Sequence, residues 1–223
     1  MPYVNVGDTR LFFETYGSKL LPAGSDTQEK PTFIFLHGGA GFLDHTPYIN
    51  FWSRFSDVCE VIFVDQRGSG RSLCDDKSTW NLKQWGQDIY HFCEALGIEK
   101  PIVGGISYGG MVAMSYMMQY PDHPLALILS DTDVHIDREE MLSLVEAKLK
   151  MHQKPVEKGI AITNQLLDGP ATSEVFDYYF NEVVSLFGRP AENLDDFSKM
   201  DPALSNDNLG SHFLNGELLS MDY

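Results

Sequence analysis

Cysteine is scarce in this chain and forms no pattern. Cys59, Cys74 and Cys93 are the only three. None is spaced as CxxC, so metal-ligating and dithiol redox spacings are absent, and an odd count of thiols fits a reduced, cytoplasmic protein. Basic residues are also few: 16 Lys and Arg against 32 Asp and Glu, a formal net charge of −16. A nucleic-acid surface needs clustered Lys and Arg along the phosphates, so that partner class is excluded, and an anionic membrane surface is disfavoured for the same reason. The acidity reads as a solubility device rather than as the mark of a cationic partner. No apolar run approaches the roughly 20 residues of a membrane-spanning helix. The N-terminal stretch, Met1-Pro2-Tyr3-Val4-Asn5-Val6, is neither basic nor followed by an apolar block, so no signal peptide is read there. No metal or cofactor is expected.

What is present is ordinary globular material. The chain has 223 residues, 43% hydrophobic and 22% charged, enough for one core and a small appended lobe. Residues 3–6 and 11–16 read as short strands around the turn Gly7-Asp8-Thr9, and the polar stretch 17–31 reads as a loop. Thr32–Leu36 and Glu60–Val64 are continuous apolar runs, the pattern of strands covered on both faces. A helix is predicted near 47–56. Residues 80–97 place Trp85, Ile89, Phe92, Cys93 and Leu96 at helical spacing, with Gly97 as the stop. Leu125–Leu129 reads as a further buried strand, ending at Ser130-Asp131-Thr132-Asp133. Strands alternating with helices, with glycine-rich loops at the strand ends, predict a mostly parallel α/β sheet. Ligands of such sheets bind beyond the carboxyl ends of the strands.

Three motifs fall at those ends: His37-Gly38-Gly39-Ala40-Gly41, Asp65–Ser72, and Gly105-Ile106-Ser107-Tyr108-Gly109. The third lies between the apolar run Pro101-Ile102-Val103-Gly104 and the apolar stretch Met111–Met118, a predicted buried helix. Strand, Gly-x-Ser-x-Gly, helix is the setting of a nucleophile elbow. The serine must sit on a tight, strained turn, and a side chain at Gly105 or Gly109 would collide with neighbouring backbone. The helix that starts after Ser107 aims free N–H groups at any developing anion. For Asp65–Ser72 a bracing role is preferred, with Asp65 or Arg67 making internal hydrogen bonds.

After Asp137 the pattern changes. Residues 138–153, 156–168 and 172–187 show helical periodicity, punctuated by Pro155, Gly169-Pro170 and Gly188-Arg189-Pro190. The expected organisation is a core over 1–137 and a helical lid over 138–223.

Taken together, the three motifs resemble those of the α/β-hydrolase superfamily, and within it the proline iminopeptidases. Residues 3–137 carry the resemblance. Gln66 in Asp-Gln-Arg-Gly-Ser-Gly-Arg-Ser is its most discriminating residue. Ala40 stands where the peptidase pattern has proline, and Ile106 and Tyr108 replace a small residue and tryptophan. The resemblance implies an α/β-hydrolase sheet with a helical lid, and acyl transfer with Ser107 as nucleophile. It implies an oxyanion hole from the N–H groups of Gly39 and Tyr108, each worth about 3–4 kcal/mol in the transition state. The implied substrate is a small molecule or short peptide, losing its N-terminal residue or an ester or amide group. Glu182 and Glu217 are candidates for holding a substrate amino group, weighed against plain solvated helix charges.

The resemblance also implies a triad order of Ser, then Asp or Glu, then His. Nothing after the lid reads as a strand with an acidic loop or as a terminal His loop. The expectation is therefore a chain that stops at the lid's exit, without the C-terminal strands. Asp131 and Asp133 read as strand-end hydrogen-bonding residues. His37 reads as structural; His45, His91, His123 and His152 as surface residues; His135 and His212 as poorly placed bases. The strand at 125–129 would then be an open edge, to be completed by a second copy or a complementing segment. Three functional readings stand: a serine hydrolase of the iminopeptidase kind, a carboxylesterase, or a catalytically incomplete chain acting as a binding module.

Overall fold

Thr32–Leu36 forms β5 at the centre of the sheet, and all five residues are buried. Its alternation assigns each face a core. Ile34 and Leu36 pack with Ile62, Val64 and Val103 against Trp85, Ile89, Phe92 and Val112. Phe33 and Phe35 pack on the other face with Val61, Phe63, Tyr48 and Trp52. A strand enclosed on both sides has no polar face, so its sequence is apolar without interruption.

The computed structural model describes residues 2–72, 74–187 and 199–221. The predicted stop at Gly188-Arg189-Pro190 lies outside the described residues. β1 (Tyr3–Val6) and β2 (Thr9–Tyr16) form an antiparallel hairpin. β6 (Glu60–Val64) and β7 (Ile102–Ile106) flank β5 in parallel, and β8 (Ala126–Ser130) lies parallel to β7. The sheet order is β1-β2-β6-β5-β7-β8, with β2 antiparallel to β6. The fold is the expected mostly parallel α/β sheet.

The helices follow their sequence signals. The predicted helix near 47–56 is a run of 3₁₀ turn (Thr46–Tyr48), α1 (Ile49–Trp52) and 3₁₀ turn (Ser53–Asp57). α2 (Leu82–Leu96) is capped by the Asn81 side chain, which accepts the Gln84 N–H at 2.8 Å, and stopped by Gly97 at φ 66°. Trp85, Ile89, Phe92 and Cys93 face the core as predicted, whereas Leu96 lies at the exposed last turn. α3 (Tyr108–Gln119) is buried from Tyr108 to Tyr116, but Met117 and Met118 emerge to solvent. Beyond it come α4 (Arg138–Met151), α5 (Val156–Asp168) and α6 (Ser173–Glu182). A last continuous helical segment comprises α7 (Asp207–His212), a π-helical turn (Phe213–Glu217) and α8 (Leu218–Ser220). No helix among the described residues is long and apolar enough to cross a membrane.

Two expectations need correction. The stretch 17–31 contains a hairpin, β3 (Leu20–Ala23) and β4 (Asp26–Glu29), turned at Gly24 with φ 68°. Its Leu20 and Leu21 are exposed, so no buried face imposes the alternation by which strands are recognised. β8 is not buried either: it is the edge strand, and Leu125, Ile128 and Leu129 are exposed. Its apolar run reads as buried, but among the described residues β7 alone pairs with it, as the expectation of an open edge at 125–129 has it.

Arg67 ties the sheet to α2. Its side chain is 1% exposed and makes a two-pronged pair with Asp88, Nε to Oδ2 at 2.7 Å and Nη2 to Oδ1 at 2.8 Å. Nη2 also reaches Asp8 at 2.8 Å, and the Trp85 indole N–H donates to the Arg67 carbonyl. The bracing role expected for Arg67 is its observed one. Removing one member strands a buried charge. Arg67→Ala is expected to cost about 3–5 kcal/mol in urea unfolding, and the double replacement Arg67→Met with Asp88→Leu to recover most of it.

Candidate active site

Ser107 occupies the turn between β7 and α3 with φ 51° and ψ −121°. A residue with a β-carbon reaches this region only at a cost of about 1–3 kcal/mol, which surrounding structure must supply. Ser107 is exposed while its neighbours Gly105, Tyr108 and Gly109 are buried. Its backbone is fixed on both sides: its N–H donates to Ser130 O at 3.0 Å, and its carbonyl accepts from Gly110 N, Met111 N and the Thr132 hydroxyl. The Tyr108 and Gly109 amides open α3, where no carbonyl four residues back is available to them.

The glycines of the motif are required by close approach. A β-carbon at Gly105 would lie 2.2 Å from the Gly109 carbonyl oxygen. One at Gly109 would lie 2.2 Å from the carbonyl oxygen of Leu36, at the end of β5. The helix thus starts directly against the strand that leads into the glycine loop.

That loop runs from His37 to His45. A β-carbon at Gly38 would lie 3.5 Å from Ser107 Cβ and 3.1 Å from the Tyr48 hydroxyl, so the loop's first glycine abuts the serine. Gly39 has φ 63°, and its carbonyl accepts from Phe42 N and Leu43 N, closing a tight turn. Two consecutive residues past β6 hold the loop's ends. Gln66 takes the near end: its N–H donates to His37 Nε2 and its side-chain amide to His37 O at 3.0 Å. His37 Nδ1 lies 2.8 Å from Gly38 O. The ring is thus neutral with its proton on Nδ1, and burial lowers its basicity.

Asp65 takes the far end. Its Oδ1 lies 2.5 Å from His45 Nδ1 and accepts the His45 backbone N–H at 3.2 Å. Both side chains are almost wholly enclosed, at 0% and 1% exposure. Burial opposes both charges, yet the mutual hydrogen bond overrides it: His45 is raised to about 9 and Asp65 held down at about 2. The expectation that His45 is a surface residue is therefore wrong. Nothing in the polar neighbourhood Asp44-His45-Thr46 betrays that its ring is enclosed. Tyr48 and Thr132 also escaped the sequence reading, since neither belongs to a motif.

The remaining histidines have other partners or face solvent. His123 bonds the Tyr116 hydroxyl and is only half-buried. His135 lies 3.2 Å from Met221 O, and His212 Nε2 lies 2.7 Å from Trp80 O. His91 and His152 are exposed. Among the described residues no imidazole bonds the Ser107 hydroxyl. Asp131 accepts from the Ser130 hydroxyl and Asp133 from Val134 N, as strand-end residues. Glu182 pairs with Lys154 at 3.0 Å. Glu217 accepts the Leu82 N–H at the start of α2 and lines a cavity of about 470 Å³ with Lys77, His212 and Asn215. The two glutamates therefore serve different partners. No group of three or more His, Cys, Asp or Glu suited to a metal occurs among the described residues.

Tyr108 turns inward. Its ring stands edge-on to Trp85 at 5.2 Å and to Phe213 at 4.9 Å, and its hydroxyl is buried with no hydrogen-bond partner. Burial, then the nearby Asp88 and Glu217, push its ionisation well above the usual range.

Gly109→Ala is expected to lose more than about 3 kcal/mol of stability, because the clash is with backbone. Tyr108→Phe removes an unsatisfied hydroxyl and should be neutral or stabilising by up to about 1 kcal/mol. Urea unfolding of both variants checks these opposite signs. The contribution of the His45–Asp65 pair should be complete between about pH 4 and 6.5. It should fall as pH rises through about 9, where folded His45 loses its proton, and as pH drops through about 2, where Asp65 gains one. Urea midpoints at about pH 6 and pH 10 test the alkaline side: a flat profile would contradict it.

The model of the alpha/beta hydrolase fold family matches residues 31–169. Proline iminopeptidase of Neisseria gonorrhoeae is 36% identical over 100 residues, covering 43% of this chain and 31% of that protein. The chain thus matches about a third of that relative's length. Solved structures are also similar. Proline iminopeptidase of Mycobacterium smegmatis has a TM-score of 0.56 and 22% identity, with 83% of this chain and 57% of that one covered. A thermophilic esterase of Thermogutta terrifontis has a TM-score of 0.60 and 19% identity, with 100% and 74% covered. At these identities the structures speak for the fold alone. Because that family's match spans more than half of the chain, the chain belongs to the alpha/beta hydrolase fold family.

Proposed function

We propose that this chain carries the nucleophile and oxyanion donors of a serine hydrolase working by acyl transfer. The observation that carries the reading is Ser107, exposed at a strained positive-φ turn between strand and helix. In this reading Ser107 Oγ attacks a carbonyl carbon, and the N–H groups of Tyr108 and Gly39 receive the negative charge on the carbonyl oxygen. Two facts support the donors: Tyr108 opens α3, and Gly39 follows the residue that abuts Ser107. The substrate class follows the iminopeptidase relatives: a short peptide losing its N-terminal residue, or a small ester or amide. Glu182 and Glu217 are weaker candidates for binding a substrate amine, since each already has a protein partner. Three free thiols fit a cytoplasmic setting.

The segment 138–223, whose described elements after Asp137 are helical, acts in this reading as a lid over the core of 1–137. Support comes from the segment entering α7, which lies across two motif loops. Asn206 N donates to Gly41 O at 2.7 Å, and the Asn206 amide to Gly68 O at 3.0 Å.

A second reading is favoured by one observation: no described histidine bonds Ser107. A hydrolase without its base retains about 10³–10⁴-fold over water through oxyanion stabilisation and binding. The chain would then act as a binding module with residual chemistry. Labelling with a fluorophosphonate separates the readings. Modification of Ser107, abolished in Ser107→Ala, is the expected result; an unlabelled wild-type chain supports the binding module. Turnover of a short-chain aryl ester but not of a proline arylamide would replace the iminopeptidase assignment by carboxylesterase.

A further inference from the structure

We infer that His45 is a positioning residue for the oxyanion loop, acting as a charged pin that fixes the end of the loop opposite Ser107. The inference rests on the serine-hydrolase reading for the loop's function, but the pin itself stands on geometry. The loop from His37 to His45 is held at one end by Gln66 and at the other by Asp65, adjacent residues of one strand end. Between those anchors the Gly39 turn is closed by backbone bonds to Phe42 and Leu43, and Gly41 is held by the Ser69 hydroxyl, which accepts its N–H at 3.1 Å, and by Asn206 N, which donates to its carbonyl. The position of the Gly39 amide therefore depends on the far anchor at His45 as well as on Gln66 and the Gly41 contacts.

The His45 ring is caged. It stacks on Phe12 at 5.8 Å and on Phe63 at 5.7 Å, with interplanar angles of 18° and 29°. Nδ1 meets Asp65, and Nε2 faces Glu14 Oε2 of β2 at 3.6 Å. Asp44, next in the chain, caps Thr46 N and pairs with Arg71. Arg71 also bonds Asp65 Oδ2 at 3.2 Å and lies over the Phe12 ring at 4.9 Å. The charge of His45 in turn helps keep the nearby buried His37 ring neutral. The cage thus presents three carboxylates, Asp44, Asp65 and Glu14, to the cations His45 and Arg71. A protonated ring donates from Nδ1 to Asp65 and turns its Nε2–H toward Glu14 as an ion pair longer than a hydrogen bond. A neutral ring with its proton on Nδ1 turns the Nε2 lone pair toward the Glu14 carboxylate, and that contact becomes repulsive. Loss of the proton therefore loosens the far anchor and, through Leu43 and Phe42, the Gly39 turn.

The consequence is an alkaline limb in the site's reactivity, with a midpoint set by His45. Three measurements on the whole chain test it. Imidazole NMR, assigned with His45→Gln, should show His45 titrating near 9. Glu14→Gln, on a partly exposed residue that leaves the cage standing, should lower that midpoint by roughly a unit. Amide hydrogen exchange at Gly39 to Leu43 should quicken about tenfold in His45→Gln at neutral pH. The rate of fluorophosphonate labelling should decline with the same midpoint as the NMR titration and shift with it in Glu14→Gln. A His45 midpoint near that of a free histidine, or loop exchange unchanged in a folded His45→Gln, overturns the pin. Should His45→Gln fail to fold, the Glu14→Gln shift decides: exchange and midpoint moving together support the pin, and a midpoint moving alone overturns it. If the wild-type chain is unlabelled at every pH, the serine-hydrolase reading fails, while the NMR and exchange results still decide the pin.

Discussion

The carbonyl oxygen that ends β5 occupies the space that a side chain at Gly109 would need. That one contact forces much of what surrounds it. The helix after Ser107 can start only if it presents bare backbone to the strand. The strand's exit then lies against the helix's first amides, and the next residues, His37 and Gly38, are placed beside the serine. A reactive hydroxyl and a glycine turn become neighbours because two backbones touch without side chains between them.

Such a contact fixes the start of the loop but not its course. The course is set from β6. Asp65 and Gln66 point to opposite ends of the same nine-residue span, one using an ion pair and the other a neutral imidazole. The two histidines are thus kept in opposite charge states a short distance apart. His37 stays neutral because its burial outweighs the pull of Asp65 and Asp44, and His45 stays charged because three carboxylates outweigh its burial. Gln66, the residue that distinguishes the motif in sequence, has a structural reason: its uncharged side-chain amide donates to the His37 carbonyl while its backbone N–H serves the ring.

The parts legible in the sequence were those in which local pattern and burial coincide. Thr32–Leu36 and Glu60–Val64 form strands over the predicted residues because enclosure on both faces leaves a purely apolar run. Ser107 was legible because its turn demands glycines at fixed offsets. The hairpin at Leu20–Glu29 was not, since its strands pack on nothing and carry no alternation. His45 was misread for a related reason. Its burial comes from Phe12, Phe63 and Asp65, residues remote in sequence that no local window joins. Leu96 and the β8 residues show the converse, apolar side chains whose covering could not be read from composition.

The open edge at β8 and the chain's charge bear on one another. Among the described residues the outer side of β8 is unpaired, and its strand amides beside exposed Leu125, Ile128 and Leu129 form a ready template for a second strand. Any identical molecule arriving there brings a formal charge of −16 with it. Over the roughly 10 Å reach of unscreened charge at 0.1 M salt, mutual repulsion holds such molecules apart. Ionic strength therefore bears on that encounter: dilute buffer favours separate molecules, and concentrated salt weakens the repulsion between them.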